Sequence, residues 1–201
     1  MSIVIGTLIA FVAGSIPFSV LLGRWLARAD IRRFGDANPG AANAWKAGGA
    51  KIGVLALLLD FLKGAIPVGL AHFATGLRGW ALVPIALAPI LGHAFSPFLG
   101  FRGGKAVAVT VGAWSGVTFA EGSIVLGLFF TLLIAVQTAN AWSVILGMLG
   151  LGAHLALRGF DAPVLAIWTA NLAILLWKHR RDLRKPIRLR GWIVKRMRRA
   201  P

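Results

Sequence analysis

From Ile3 to Leu22 the chain carries no charge over 20 consecutive residues. Roughly 20 apolar residues are what a helix needs to cross the hydrocarbon core of a bilayer. Similar runs follow along most of the length and predict seven spans, at about 3–22, 52–72, 79–98, 106–120, 122–139, 141–157 and 162–177. The 106–120 segment and the last two are short, so five or six spans also fit. Helix is the natural form, because in lipid each backbone polar group must find its partner within the segment or in a closed barrel. The first run reads as a span rather than a cleaved leader. No Lys or Arg precedes it, its core is long, and Gly14-Ser15-Ile16-Pro17 interrupts it instead of ending it. With 58% hydrophobic residues and a mean hydropathy of +0.78, no stretch is left for a separate soluble domain. We expect one all-α transmembrane domain over 1–201 with a basic tail at 178–201.

The net charge of +16 is compatible with nucleic acid, anionic lipid or a phosphorylated substrate, so the placement of the cations matters more than their number. Six lie in 23–51, two in 100–105 (Arg102 and Lys105), and eleven from Lys178 onward. Only Arg78 and Arg158 fall on the intervening connections, and Lys63 lies within a span. Seven spans put the three rich regions on one side, which the positive-inside rule makes cytoplasmic, with the N-terminus outside and the C-terminus inside. The stretch Gly191–Arg199 mixes apolar and cationic residues, as a segment lying on an anionic membrane surface does. No nucleic-acid module accompanies it, so no nucleic-acid partner is expected. The absence of Cys excludes disulfides, thiolate ligands and a Cys nucleophile.

Four places concentrate polar chemistry. Region 34–49 is poor in bulky apolar residues and carries Asp36, Asn38, Asn43 and Lys46 among glycines, whose backbone N–H groups can approach an anion; an ordinary connecting loop also fits. His93 is followed by Arg102-Gly103-Gly104-Lys105 at the start of an apolar helix. Two cations, a pliant backbone and a helix N-terminus suit a phosphate, although a purely topogenic pair of cations also fits. The Walker A spacing is absent. At the end of the last span come Lys178, His179, Arg180, Arg181 and Asp182, a cluster that a solvated anchor also explains. Asp60 and Lys63, three residues apart, share one face inside a span, where ionisable groups are costly; a structural ion pair and a site-lining role are equally open. His72 and His154 read as helix-end residues. No metal-ligand spacing and no Gly-x-Ser-x-Gly elbow occur.

At these positions the sequence resembles the PlsY family, the bacterial acyl-phosphate:glycerol-3-phosphate acyltransferases. The likeness runs through Gly14-Ser15-Ile16-Pro17-Phe18, Asn38-Pro39-Gly40-Ala41-Ala42-Asn43 and Leu59-Asp60-Phe61-Leu62-Lys63-Gly64. It continues through Gly92-His93 and Phe101-Arg102-Gly103-Gly104-Lys105 to His179-Arg180. The resemblance implies a seven-helix enzyme of the bacterial inner membrane with its site facing the cytoplasm. Such an enzyme moves a fatty acyl group from acyl phosphate to the sn-1 hydroxyl of glycerol 3-phosphate, giving lysophosphatidate for phospholipid synthesis. It needs no cofactor; its partners are the two substrates, membrane lipids and the enzyme that makes acyl phosphate.

Carried onto this chain, the resemblance implies Asn38, Lys105 and His179 as the catalytic group. Asp36, Asn43, Lys46, Asp60, Lys63, His93, Arg102, Gly103, Gly104 and Arg180 are the implied substrate-binding residues. Lys105 and Arg102 would hold phosphate, His179 and Arg180 would close the site, and a substrate phosphate would accept the hydroxyl proton. Several positions depart from the family pattern. Asp36 stands where Ser is usual, Ala42 where Thr is usual, Lys46 where Arg is usual, and Ala106 where Gly is common. In the Arg-His-Arg-x-Asn pattern, Lys178 and Asp182 replace the first Arg and the Asn. A carboxylate at position 36 repels a phosphate unless a cation intervenes. A relative that binds acyl phosphate or lipid without turnover, and a membrane transporter, are therefore alternatives.

Overall fold

The structure, a computed structural model, describes residues 2–193. Its eight α-helices are α1 (Ile3–Ser15), α2 (Phe18–Trp25), α3 (Ala41–Gly69), α4 (Leu82–Ala94), α5 (Val107–Thr118), α6 (Glu121–Val136), α7 (Asn140–Leu157) and α8 (Ala162–His179). No strand runs between them among the described residues. Each expected span is helical, with two informative differences. The first is two helices, because Pro17 has no N–H to continue the ladder. The second begins earlier than its apolar run, at Ala41, and bends at Gly49, whose φ of 78° lies outside helical geometry.

Among the described residues, four segments are long and apolar enough to cross a membrane by themselves: Ile3–Leu26, Ala41–Ala74, Gly79–Leu99 and Asn140–Leu157. The outward faces are apolar, as lipid requires: Val4, Ile5, Leu8, Ile9 and Val12 of α1 and Leu128 and Leu132 of α6 are all exposed. α5, at 12 residues, is only about 18 Å long and is largely enclosed. Val109, Ala113, Trp114 and Val117 are all buried.

Helices approach closely where small residues meet. A Cβ on Gly112 of α5 would collide with the Phe61 carbonyl of α3, and one on Gly92 of α4 with the Phe11 carbonyl of α1. Without a hydrophobic difference between lipid and side chain, such backbone contact supplies the attraction between helices. Gly147 and Gly150 of α7 receive the rings of Phe130 and Phe129 in the same way. Between α5 and α8, buried Asn171 accepts from the Trp114 indole at 3.1 Å and donates to Thr110 at 3.1 Å.

The break at Ile16-Pro17 frees carbonyls inside the bundle, and distant residues satisfy them. Lys63 Nζ donates to Ile16 O at 2.8 Å, and Ser96 Oγ donates to Ser15 O at 2.6 Å. Lys63 is paired with Asp60 at 2.8 Å, and the other Asp60 oxygen accepts from Ser19 Oγ at 2.8 Å. Asp60 and Lys63 are therefore an ion pair that holds α1, α2 and α3 together at the break.

The C-terminal segment forms a strap across the end of α6. Arg190 N–H donates to Val136 O at 2.9 Å and Thr138 N–H to Arg188 O at 2.9 Å. Trp192 Nε1 donates to Ala135 O at 3.1 Å and Trp142 Nε1 to Lys185 O at 3.1 Å. The Arg190 and Trp192 bonds meet carbonyls that the C-terminus of α6 leaves open, while Thr138 and Trp142 donate to carbonyls of the strap itself. The basic tail expected at 178–201 thus begins inside α8 and continues as this strap. Residues 194–201, with most of the stretch expected on the membrane surface, lie outside the described residues.

Candidate active site

A cavity of about 920 Å³ opens between α3, α5, α6, α7 and the end of α8. One end is polar and lined by Asp36, Asn38, Lys46, Lys105, His179 and Asp182. It also has an apolar slot, walled by Leu57, Leu58, Val111, Phe130, Ile134 and Val144.

Two loops build the polar end. In the first, Gly35 takes a left-handed φ of 59°, open to glycine without steric cost, and packs against Asn43 and Lys46. Asp36 follows: its Oδ1 accepts from Asn38 N–H at 3.2 Å and from Asn43 Nδ2 at 2.9 Å. Asn43 Nδ2 also donates to Asn38 O at 2.9 Å, so the two asparagines shape the loop around the carboxylate. Pro39 and Gly40 then lead into α3, which carries Lys46 in its second turn.

The second loop carries Lys105. Gly104 N–H donates to His93 O at 3.0 Å, and a side chain on Gly104 would collide with the His93 ring. Lys178 Nζ binds Ala94 O at 2.7 Å and Gly103 O at 3.0 Å, pinning the loop to the end of α4. Ala106 closes the turn with a φ of 62°, a left-handed conformation that costs an L-residue about 1–2 kcal/mol. Glycine would take this conformation without that cost.

Lys105 Nζ lies 2.5 Å from Asp36 Oδ2 and 2.6 Å from Asp182 Oδ2; the other Asp182 oxygen is 2.8 Å from Lys185. Burial works against the Lys105 charge, but Asp182 and Asp36 outweigh it and raise its pKa above the usual 10.5. Partial burial opposes the Asp36 charge too; Lys105, with the loop hydrogen bonds, outweighs it and lowers its pKa. Lys105 and Lys185 bring Asp182 down to about 2. The carboxylate expected to repel an anion is thus neutralised by the residue expected to bind one. His179 is buried, with Nδ1 at 2.9 Å from Leu175 O. In the neutral ring Nδ1 then carries the proton and Nε2 is left as an acceptor.

At the inner end, Asp60 and His93 border the cavity, their nearest atoms 3.7 Å apart. His93 Nδ1 makes no hydrogen bond, and Asp60 Oδ1 is engaged in the ion pair, 2.8 Å from Lys63 Nζ.

Of the residues expected from sequence, Asp36, Asn38, Asn43, Lys46, Asp60, His93, Lys105 and His179 line one cavity. Gly103 and Gly104 lie behind Lys105, and Lys63 stands one layer deeper at the helix break. Arg102 is exposed and outside the cavity wall. Arg180 turns away, its guanidinium 4.3 Å from the Trp177 ring centre and bonded to Trp177 O at 2.6 Å. Polar lining residues that sequence reasoning did not single out are Lys185, Thr138 and Asn140. Thr138 and Asn140 belong to the polar interruption Gln137-Thr138-Ala139-Asn140 between two apolar runs, a signal that could have found them. Lys178, in the cluster that a solvated anchor also explains, is the clamp on the Lys105 loop.

The profile of a family described as Glycerol-3-phosphate acyltransferase matches residues 4–188. Among curated proteins, Glycerol-3-phosphate acyltransferase 1 of Thermotoga maritima is 36% identical over 191 residues, covering 88% of this chain and 94% of its own. Glycerol-3-phosphate acyltransferase of Myxococcus xanthus is 35% identical over 180 residues, covering 88% and 91%. Among solved structures, PlsY, an integral membrane glycerol 3-phosphate acyltransferase, superposes in its glycerol 3-phosphate form with a TM-score of 0.83 at 30% identity over 90% of each chain. Its lysophosphatidic acid form superposes with a TM-score of 0.81.

Proposed function

The chain belongs to the glycerol-3-phosphate acyltransferase family, and from that premise we propose that its cavity moves a fatty acyl group from acyl phosphate to the sn-1 hydroxyl of glycerol 3-phosphate. The hydroxyl oxygen forms the new ester bond to the acyl carbon, and the bond from that carbon to the phosphate oxygen breaks. The departing phosphate takes the hydroxyl proton, leaving lysophosphatidate and inorganic phosphate. That Lys105 lines the same cavity as the apolar slot is the observation that carries this assignment.

Both substrates carry phosphate, and one carries a long acyl chain. The slot between α3, α5, α6 and α7 suits the chain, and the lysines at the polar end suit the phosphates. Asp36 and Asp182 occupy Lys105 in the free protein, so an incoming phosphate takes over contacts that two carboxylates already satisfy. His179 Nε2 is an acceptor for a hydroxyl or a phosphate proton, and Asn38 and Asn43 hold the loop that faces the acceptor. His93 Nδ1 offers a partner to a polyol hydroxyl. Catalysis then rests on proximity and on charges fixed before the substrate arrives. The distribution of cations supports seven spans in one transmembrane domain, with the site facing the cytoplasm of a bacterial inner membrane. An acyl phosphate is both apolar and reactive, so the enzyme that makes it is the expected partner.

Purified protein in detergent, given palmitoyl phosphate and glycerol 3-phosphate, is expected to release phosphate and lysophosphatidate in equal amounts. Lys105→Ala should lose both. Phosphate without lysophosphatidate would identify a different acceptor. The two carboxylates on Lys105 also fit a protein that binds acyl phosphate without turnover; silence from the native chain, with activity appearing in Asp36→Ser, would establish that alternative.

A further inference from the structure

The two cations on the connections away from the Lys105 cavity, Arg78 and Arg158, are 80 residues apart in sequence, yet they line one cavity of about 380 Å³. Topogenesis explains why cations gather at the other face; it gives no reason for these two to meet. Arg78 stands before the turn into α4 and Arg158 at the end of α7. Each is followed by a glycine in left-handed conformation, Gly79 (φ 59°) and Gly159 (φ 68°), and both glycines also line the cavity. The inner wall is apolar, with Leu82, Val117 and Ile167.

The charges here are only partly engaged. The Arg78 side chain makes no hydrogen bond and no ion pair among the described residues. Arg158 gives its Nε to Glu121 at 3.1 Å, where His154 also binds at 2.8 Å; its terminal guanidinium nitrogens have no partner among the described residues. Asp161 is the one carboxylate in the lining, and its Oδ1 caps α8 by accepting from Val164 N–H at 3.3 Å. His72 turns Nδ1 to Gly116 O at 3.1 Å. Beside the arginines, Trp80 is 66% exposed and Leu157 is 89% exposed, as side chains at the lipid–water boundary are.

We propose that this cavity binds the phosphate of an anionic membrane lipid, with Arg78 and Arg158 on the phosphate and the chains running past Leu157 and Trp80. Guanidinium groups match phosphate oxygens in geometry as well as charge, and basic pockets between membrane helices hold lipid headgroups by this means. The apolar floor and shoulders favour a lipid over a free phosphate, which would leave them uncovered. The proposal is independent of the reaction at Lys105.

Native mass spectrometry of the full chain in neutral detergent, with phosphatidylglycerol titrated in, tests it. One lipid per chain should be retained against phosphatidylcholine. Arg78→Gln should weaken retention about fivefold, the worth of one cation near a lipid surface, with acyl transfer unchanged. Arg78→Gln/Arg158→Gln should weaken it further. Arg78 has no protein partner to lose, so the single variant should unfold at the same temperature as the native chain without lipid and carries the test by itself. Equal retention of phosphatidylglycerol by Arg78→Gln, or equal retention of phosphatidylcholine by the native chain, would overturn the site. Displacement of the lipid by millimolar inorganic phosphate would overturn its assignment to a lipid in favour of a soluble anion.

Discussion

Lys63 and Lys105 are both lysines paired with aspartate, and they do opposite work. The Lys63 side chain is 3% exposed, and its contacts are all protein: Asp60, the Ile16 carbonyl and the Phe18 ring, 5.8 Å away. The Lys105 side chain is 25% exposed and sits on a loop at a cavity edge, between two carboxylates that face the same space. A charge enclosed by its partners is a joint, since nothing from solution can replace them. A charge that itself lines an open cavity, as Lys105 does and Lys63 does not, can exchange a carboxylate for a substrate phosphate. Enclosure separates these two pairs, and chemical type does not.

The largest expected effect breaks the joint. Lys63→Ala leaves Asp60 buried without its cation and the Ile16 carbonyl without a donor, and should cost about 3–5 kcal/mol of stability, read by denaturant unfolding in detergent. An unchanged unfolding midpoint would erase the distinction between the two lysines. Next comes Lys105→Ala, expected to lower acyl transfer roughly 100- to 1,000-fold with little change in unfolding. A loss of stability matching that of Lys63→Ala would make Lys105 a joint as well. Asp36→Ser should sharpen the contrast by releasing Lys105 from one carboxylate. KM for the phosphate substrates is expected to fall about fivefold, on the order of 1 kcal/mol for a partly exposed pair; a rise would show that Asp36 helps to bind the acceptor. Ala106→Gly removes left-handed strain next to Lys105 and should add up to about 1 kcal/mol of stability, visible as a raised melting temperature with kcat unchanged.

The smallest effect is that of pH. Asp36 and Asp182 are held below the ordinary value of 3.8, so their contribution to stability is complete above that value. It is lost as pH falls through the lowered ones. Lys105 is held above 10.5, so its contribution is complete below that value and is lost as pH rises through the raised one. Between about pH 5 and pH 9 the trio should therefore not titrate, and stability should be flat on its account. A step in melting temperature within that window, absent from Lys105→Ala, would mean that the pairing is looser than its geometry.

Much of the fold was legible because lipid imposes local rules. An uncharged run must be helical, and Pro17 must interrupt it. The site was legible in part. Asp36, Asn38, Asn43, Lys105 and His179 stood out as polar residues interrupting apolar sequence, and the structure brings them to one cavity. Arg102 and Arg180 stood out for the same reason and lie outside it, because the direction a side chain takes from a loop or helix end depends on neighbours far away in sequence. Lys178 and Lys185 were hidden in a tail of cations where all looked alike.

By itself, then, the sequence determined the membrane, the helices and the basic end where anionic chemistry belongs, since hydropathy and charge placement act through the nearest residues. Only the tertiary structure decided which lysine is enclosed and which borders a cavity, and that Asp36 is neutralised by Lys105. It alone brought Arg78 and Arg158 to one cavity. Burial and pairing are set by the packing of segments tens of residues apart, and spacing along the chain does not encode them.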